Sequence, residues 1–151
     1  MSNEPSSSLQ EAQHLAEQVS EVLYRQDRTS QALGIRIYEV RPGYARLSMV
    51  VRPDMTNGHR IGHGGMVFTL ADSAFAFACN SYNDNTVAAS ASIDFLAPSY
   101  EGDELTAVAT EVWRSGRSGI YEITVTNQKG TRIALFRGRS ARIAGQVVGA
   151  D

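Results

Sequence analysis

One carboxylate in this chain stands in the middle of an otherwise apolar run. Residues 57–80 read NGHRIGHGGMVFTLADSAFAFACN, polar and glycine-rich at first and then almost unbroken apolar, with Asp72 in the middle. An ionised carboxylate among Phe68, Leu70, Phe75 and Phe77 costs several kcal/mol unless it is paired or used. Desolvation raises a carboxyl pKa, which suits a general base working near neutrality, or a nucleophile. The plainer alternatives are an aspartate on the one wet face of a helix, or one paired with an arginine at a subunit contact. Its neighbours one turn away, Phe68, Thr69, Phe75 and Ala76, do not make a solvated face.

His63-Gly64-Gly65 stands directly ahead of this run. Two glycines opening a helix leave unblocked N–H groups at its positive end, and such amides can hold a carbonyl oxygen that becomes an oxyanion. The same glycines also suit a flexible entry loop. Asn57 and His63 are candidates either to position substrate or water, or to tie down the loop. His59 and His63 lie four apart, but they fall in a glycine-containing loop with no HExxH pattern and no Cys/Asp cluster, so no metal site is expected. Seven residues separate Gly65 from Asp72, about 10 Å along a helix. An aspartate falls several Å short of a carbonyl held at its own helix N-terminus. If both groups act on one carbon, the partner of Asp72 is the helix N-terminus of another subunit, and a site shared across a two-fold dimer is expected.

Elsewhere the chemistry is thinner. Arg114, Arg117, Arg137 and Arg139 cluster near strand ends and a turn, either as ordinary surface charge or as phosphate binders, with Gly116 and Gly119 allowing close approach to the backbone. Ser90 and Ser92 follow the helix on a strand, where they either reach a bound water or satisfy the sheet. Cys79 reads as packing, because no base accompanies it. No Gly-x-Ser-x-Gly elbow, Walker motif or dinucleotide fingerprint is present.

The elements that must position these groups follow from periodicity. Residues 1–8, with Pro5 and serines, read as a disordered tail. Residues 9–28 read as an N-terminal helix, with Leu9, Ala12, Ala16, Val19, Val22 and Leu23 at spacings of three and four. Residues 29–145 form the main domain and 146–151 a C-terminal tail. Strand patterns cover Gly34–Val40 and Tyr44–Val51 around a Pro42-Gly43 turn. The long helix runs from about Gly65 to Asn80, and Asn83-Asp84-Asn85 is a turn. Four more strands span Thr86–Leu96, Glu104–Trp113, Gly119–Thr126 and Arg132–Arg142. Their short connections predict that consecutive strands pair antiparallel. The expectation is an α+β layer with an antiparallel sheet curled around its most apolar helix.

At 151 residues the chain is one domain by size, and a net charge of −2 gives no reason to expect nucleic acid or an anionic membrane as partner. One cysteine excludes an internal disulfide framework and fits a reducing compartment. No signal-peptide pattern is visible, and the run Met66–Cys79 is too short and polar to span a bilayer, so a cytoplasmic setting is expected.

The run Asn57-Gly58-His59, His63-Gly64-Gly65, Leu70-Ala71-Asp72 resembles the signature of hotdog-fold acyl-CoA thioesterases. More closely it is similar to their phenylacetyl-CoA (PaaI-type) branch, from aerobic phenylacetate degradation. The likeness continues through Ala74–Asn80, Ile93-Asp94-Phe95-Leu96 with Pro98, Gly119-Ile120-Tyr121 and Ala134-Leu135-Phe136-Arg137-Gly138. It leaves out the N-terminal helix. The resemblance implies a hotdog fold, with an antiparallel sheet wrapped around a long central helix and an additional N-terminal helix. It also implies homodimers pairing into homotetramers, an acyl-CoA substrate, and no metal or other cofactor. By the same likeness Asp72 is the general base or nucleophile, Gly64 gives its N–H to the thioester carbonyl, and His63 and Asn57 orient loop, substrate or water. Gly65, Phe95, Pro98, Arg114, Gly116, Arg117, Ser118 and Arg139 fall to the substrate and its coenzyme A. The implied reaction is hydrolysis of phenylacetyl-CoA or its hydroxylated relatives. Two rivals share the fold: a 3-hydroxyacyl dehydratase, which wants a histidine and an acid acting together, and a non-catalytic acyl-CoA-binding protein, against which the presence of Asp72 argues.

Overall fold

The computed structural model describes residues 6–149. Helix α1 spans Ser7–Gln26 and a one-turn helix α2 spans Arg28–Ala32. Strands β1 (Arg36–Arg41) and β2 (Tyr44–Val50) form a hairpin, followed by the long helix α3 (Gly64–Asn80). Strands β3 (Asp84–Phe95), β4 (Glu104–Ser115), β5 (Ser118–Thr126) and β6 (Arg132–Gln146) complete one six-stranded antiparallel sheet in the order β1-β2-β4-β5-β6-β3. This is the hotdog architecture, an α+β fold with the N-terminal helix added outside it.

Helix α3 is apolar nearly all round because it is enclosed nearly all round. Val67, Leu70, Ala71, Ala74, Phe75, Phe77 and Ala78 are buried against the concave row Ala45, Leu47, Met49, Leu105, Ala107, Ala109, Ile123 and Val125. Alanines at the sheet centre let a helix bearing three phenylalanines, two of them fully buried, approach closely. At Gly138 the approach is closer still: a Cβ there would lie 2.8–2.9 Å from three ring carbons of Phe75.

Several expectations need correction. Consecutive strands do not all pair, since β3 lies against β6 and β4 against β2. The short Pro98–Asp103 connection therefore crosses between non-neighbouring strands. It does so over the entry to α3, where Ser99 O accepts the Gly62 N–H at 2.7 Å and Asp103 O accepts the Val51 N–H at 2.8 Å. The turn after α3 is earlier than expected, because Asn83 takes the left-handed φ of 72° and β3 already starts at Asp84. Helix α1 starts at Ser7, within the expected tail; residues 1–5 of that tail lie outside the described residues. At the other end β6 reaches Gln146, and the Asn83 amide holds Val148 through two hydrogen bonds of 2.7 and 3.0 Å. Residues 150–151 lie outside the described part. No described helix is long and apolar enough to cross a membrane.

Candidate active site

His63 is the N-cap of α3. Its backbone is extended (φ −62°, ψ 129°), and its Nδ1 accepts the Gly65 N–H at 2.9 Å. The accepting nitrogen carries no proton, so the imidazole works here as a cap in the manner of a Ser or Asn side chain. Its carbonyl takes the Met66 and Val67 N–H groups at 2.9 and 3.3 Å. Of the four amides that open the helix, three are therefore satisfied. The fourth, Gly64 N–H, has no acceptor among the described residues. It sits at the positive end of a 17-residue helix.

The loop before the helix is held by Asn57. Its Oδ1 accepts the N–H groups of His59 and Ile61 at 2.9 and 3.4 Å, which fixes the amide's orientation and leaves Nδ2 as a donor with no acceptor among the described residues. Arg60 takes a left-handed φ of 63° in this loop, and a Cβ at Gly62 would overlap Ser99 Oγ. Loop and helix end border a cavity of about 480 Å³ lined by Asn57, Gly64, Val67, Phe95, Pro98 and Ser99. The Phe95 ring lies over Gly64, where an added Cβ would be 3.0 Å from Cζ. An amide donor, a side-chain amide donor and an aromatic wall around an apolar hollow can hold a polar carbonyl attached to an apolar group.

Asp72 is not in that cavity. It is eight residues further along α3, about 12 Å by helix rise. It is half-buried, with no hydrogen-bonding or cationic group among the described residues acting on its carboxylate. Burial foremost, and then the negative charge of Asp27, hold its carboxyl above the ordinary range. Asp27 arrives through the α1–α2 corner: it caps α2 by accepting the Ser30 N–H at 2.9 Å, and Ser30 Oγ lies 3.2 Å from Ser73 Oγ on α3. Sequence reading missed this neighbour, although Asp27 followed by Ser30 is a readable cap pattern.

A third group gathers at the tip of the β4–β5 hairpin. Arg114, Gly116, Arg117 and Ser118 border a crevice that also touches Tyr82 and Cys79. Gly116 takes φ 56° in the turn. Arg139 does not join them. Its neighbours Gly138 and Ser140 point inward and are buried, so strand alternation turns Arg139 to the opposite face of the sheet, beside Ile120 and Ser90. Ser90 and Ser92, paired with Arg139 and Arg137, share that outer face and are exposed. Among the described residues no group of His, Cys, Asp and Glu is arranged to hold a metal ion. Within one chain, then, the sequence-derived residues form four separate sets: the helix entrance, Asp72, the hairpin tip, and Arg139 with Ser90 and Ser92 on the outer sheet face.

The Thioesterase superfamily model matches residues 59–134, which include the helix entrance, Asp72 and the hairpin. The acyl-coenzyme A thioesterase PaaI of Escherichia coli is 44% identical over 136 residues, covering 90% of this chain and 97% of that protein. A putative esterase of Archaeoglobus fulgidus is 36% identical over 129 residues, covering 85% and 84%. The solved structure of the E. coli PaaI protein from the phenylacetic acid degradation operon superposes with a TM-score of 0.88 over 89% of this chain and 98% of that one. With its curled sheet, its central helix and the capped entrance to that helix, the chain belongs to the thioesterase superfamily.

Proposed function

We propose that this protein hydrolyses phenylacetyl-CoA, or thioesters like hydroxyphenylacetyl-CoA, to the free acid and CoA in phenylacetate degradation. The observation that carries the reading is the Gly64 N–H, left without an acceptor while its neighbours are capped, at the mouth of an apolar cavity. The thioester carbonyl oxygen accepts that N–H, and the helix dipole favours the charge that grows there. Asp72 takes a proton from water, and the water oxygen bonds to the carbonyl carbon. The tetrahedral intermediate then collapses, the C–S bond breaks, and the CoA thiolate leaves with the proton from Asp72. The raised carboxyl pKa supports this base role. Asn57 Nδ2 and Phe95 serve the bound acyl thioester, and Arg114, Arg117 and Ser118 the CoA phosphates.

The two halves come from two copies. Strand β3 runs twelve residues along a sheet edge, mostly exposed. Joining it to the β3 of a second copy extends the sheet and sets two α3 helices side by side in opposite directions. That arrangement brings the helix entrance of one chain toward Asp72 of the other, which the 12 Å separation within one chain requires. Exposed Trp113 and Leu135 on the outer sheet face support pairing of dimers into a tetramer. An acyl-CoA substrate and a single cysteine support a cytoplasmic setting.

The dehydratase reading needs a histidine and an acid acting together, and the helix cap takes His63 Nδ1 and leaves only Nε2 for such a pairing. The test is thiol release from a panel of aryl- and alkyl-CoA thioesters by wild type and Asp72→Ala. Turnover that is greatest on aryl thioesters and lost in the variant is expected. Binding without turnover leaves a sensor, and unchanged turnover in Asp72→Ala sinks the base assignment.

A further inference from the structure

A second half-buried carboxylate has no place in the reaction described above. Strand alternation puts Glu111 in the concave row of Leu105, Ala107 and Ala109, all fully buried. Its Oε2 accepts the Tyr82 O–H at 2.6 Å and the Tyr121 O–H at 3.2 Å. Its Oε1 lies 3.8 Å from Arg114 Nε, and the Arg114 guanidinium carbon is 3.4 Å from the centroid of the Tyr82 ring. Burial, and then the hydrogen bond to Glu111, push the Tyr82 phenol up to about 12, so it remains a donor. The β1–β2 turn closes over the cluster. Gly43 is so near that a Cβ would stand 2.7 Å from Glu111 Oε2 and 2.9 Å from the Tyr82 hydroxyl.

Two distances decide what this cluster does. At 2.6 Å the phenol bond is a strong, charge-assisted one that fixes the carboxylate. At 3.8 Å the arginine contact is electrostatic and too long for a hydrogen bond, so Arg114 is located without using its N–H donors. Contact of its Cζ with the face of the Tyr82 ring holds the guanidinium as well. The result is a cation held in place whose donor fork has no acceptor among the described residues, at the hairpin tip that also carries Arg117 and Ser118.

We propose that Glu111 is a positioning residue for the nucleotide end of the substrate: it sets Tyr82 and, through it, Arg114, so that the guanidinium meets a CoA phosphate already oriented. This rests on the acyl-CoA reading given above. Pre-orientation removes the cost of ordering a long side chain on binding, so losing it weakens recognition of the phosphates and leaves the thioester chemistry alone.

The experiment compares kcat/KM for phenylacetyl-CoA with that for phenylacetyl-pantetheine, which has the same thioester and no phosphate. In Glu111→Gln the ratio of the two is expected to fall about fivefold, through KM for the CoA ester. Tyr82→Phe keeps the stacking ring and removes the donor to Glu111, and is expected to lower the ratio in the same sense. It also serves as the second probe should Glu111→Gln fold poorly. Equal losses on both substrates, or an unchanged ratio in both variants, overturn the inference. A wild type that hydrolyses both substrates equally well overturns the underlying placement of CoA at the hairpin, and the role of Glu111 with it. A wild type that prefers the CoA ester while both variants keep that preference removes only the positioning role.

Discussion

Gly64→Pro removes a single atom group from the candidate site, the one opening amide without an acceptor. Proline suits this position. Gly64 is the first helical residue, where the missing N–H breaks no helical bond and a φ near −65° is already helical. The preceding His63, at φ −62° and ψ 129°, has the extended backbone that a residue before proline adopts. The His63 cap on Gly65 N–H is untouched. The one crowded contact is with Phe95, 3.0 Å from an added Cβ, and that ring is 55% exposed and free to give. Stability is therefore expected within about 1 kcal/mol of wild type. The rate is a different matter: losing one oxyanion donor lowers kcat by about 100- to 1000-fold. The assay is thiol release alongside thermal unfolding. Near-wild-type turnover refutes the oxyanion role, and gross destabilisation refutes the claim that this N–H is unpartnered. The variant also tests the shared site. Co-expressed with Asp72→Ala under separate tags, it forms heterodimers with one intact site of two. Random pairing then restores about one quarter of wild-type activity from two inactive chains. No recovery in purified heterodimers would falsify the two-chain arrangement.

Other expectations concern Asp72 and the packing beneath it. Asp72→Asn keeps the shape of the side chain and removes the base, so kcat falls by about 100- to 10,000-fold. Its stability moves the other way. A carboxyl whose folded pKa is raised contributes stability below its unfolded pKa, near 3.9, and loses it as pH rises through the folded value. Asp72→Asn is thus expected to melt higher than wild type at pH 7 and to match it under acid conditions; a lower melting point at pH 7 contradicts the burial argument. For the same reason wild-type turnover falls, as pH is lowered, at a higher pH than an ordinary aspartate gives, which a pH–rate profile reads directly. Gly138→Ala forces a methyl to within 2.8–2.9 Å of a Phe75 ring that is 1% exposed and flanked by Tyr121 and Phe136. The cost is about 1–3 kcal/mol, or roughly 2–4 °C in Tm per kcal/mol, and Phe75→Leu in the same chain should recover part of it. A Gly138→Ala protein as stable as wild type contradicts the close approach of helix and sheet.

What could be read from the chain alone was local. Asp72 stands out because its neighbours in sequence are also its neighbours on the helix. The His63-Gly64-Gly65 entrance stands out because caps and glycines act within a turn. The order of strands was not readable, because the Pro98–Asp103 connection is as short as a hairpin loop yet passes across the curl of the sheet. The pressure of Asp27 on Asp72 was invisible for the same reason: 45 residues separate them along the chain, and only the α1–α2 corner brings them together. The outward turn of Arg139 depends on which of its neighbours face the helix, and Phe75 against Gly138 decides that. Glu111 was closer to legible, since it continues the alternation of Leu105, Ala107 and Ala109 into a carboxylate where another apolar residue was due.

The irregularity of β3 bears on how two copies pair in the dimer proposed above. Between Ala88 and Ser90 the strand carries one residue more than β6 opposite it, so the backbone there is kinked and its outer N–H and C=O groups are out of step. A flat strand from an unrelated protein cannot zip past such a step. In the proposed dimer a second copy brings the same step, turned end for end, and a two-fold axis at the step sets the two irregularities against each other. On that proposal self-recognition rests on backbone spacing, with the small side chains Ala88, Ala89, Ser90, Ala91 and Ser92 adding little of their own. Substitutions among those side chains are then expected to leave the proposed pairing intact, and a single-residue deletion in this stretch to abolish it, which the oligomeric mass in solution reads.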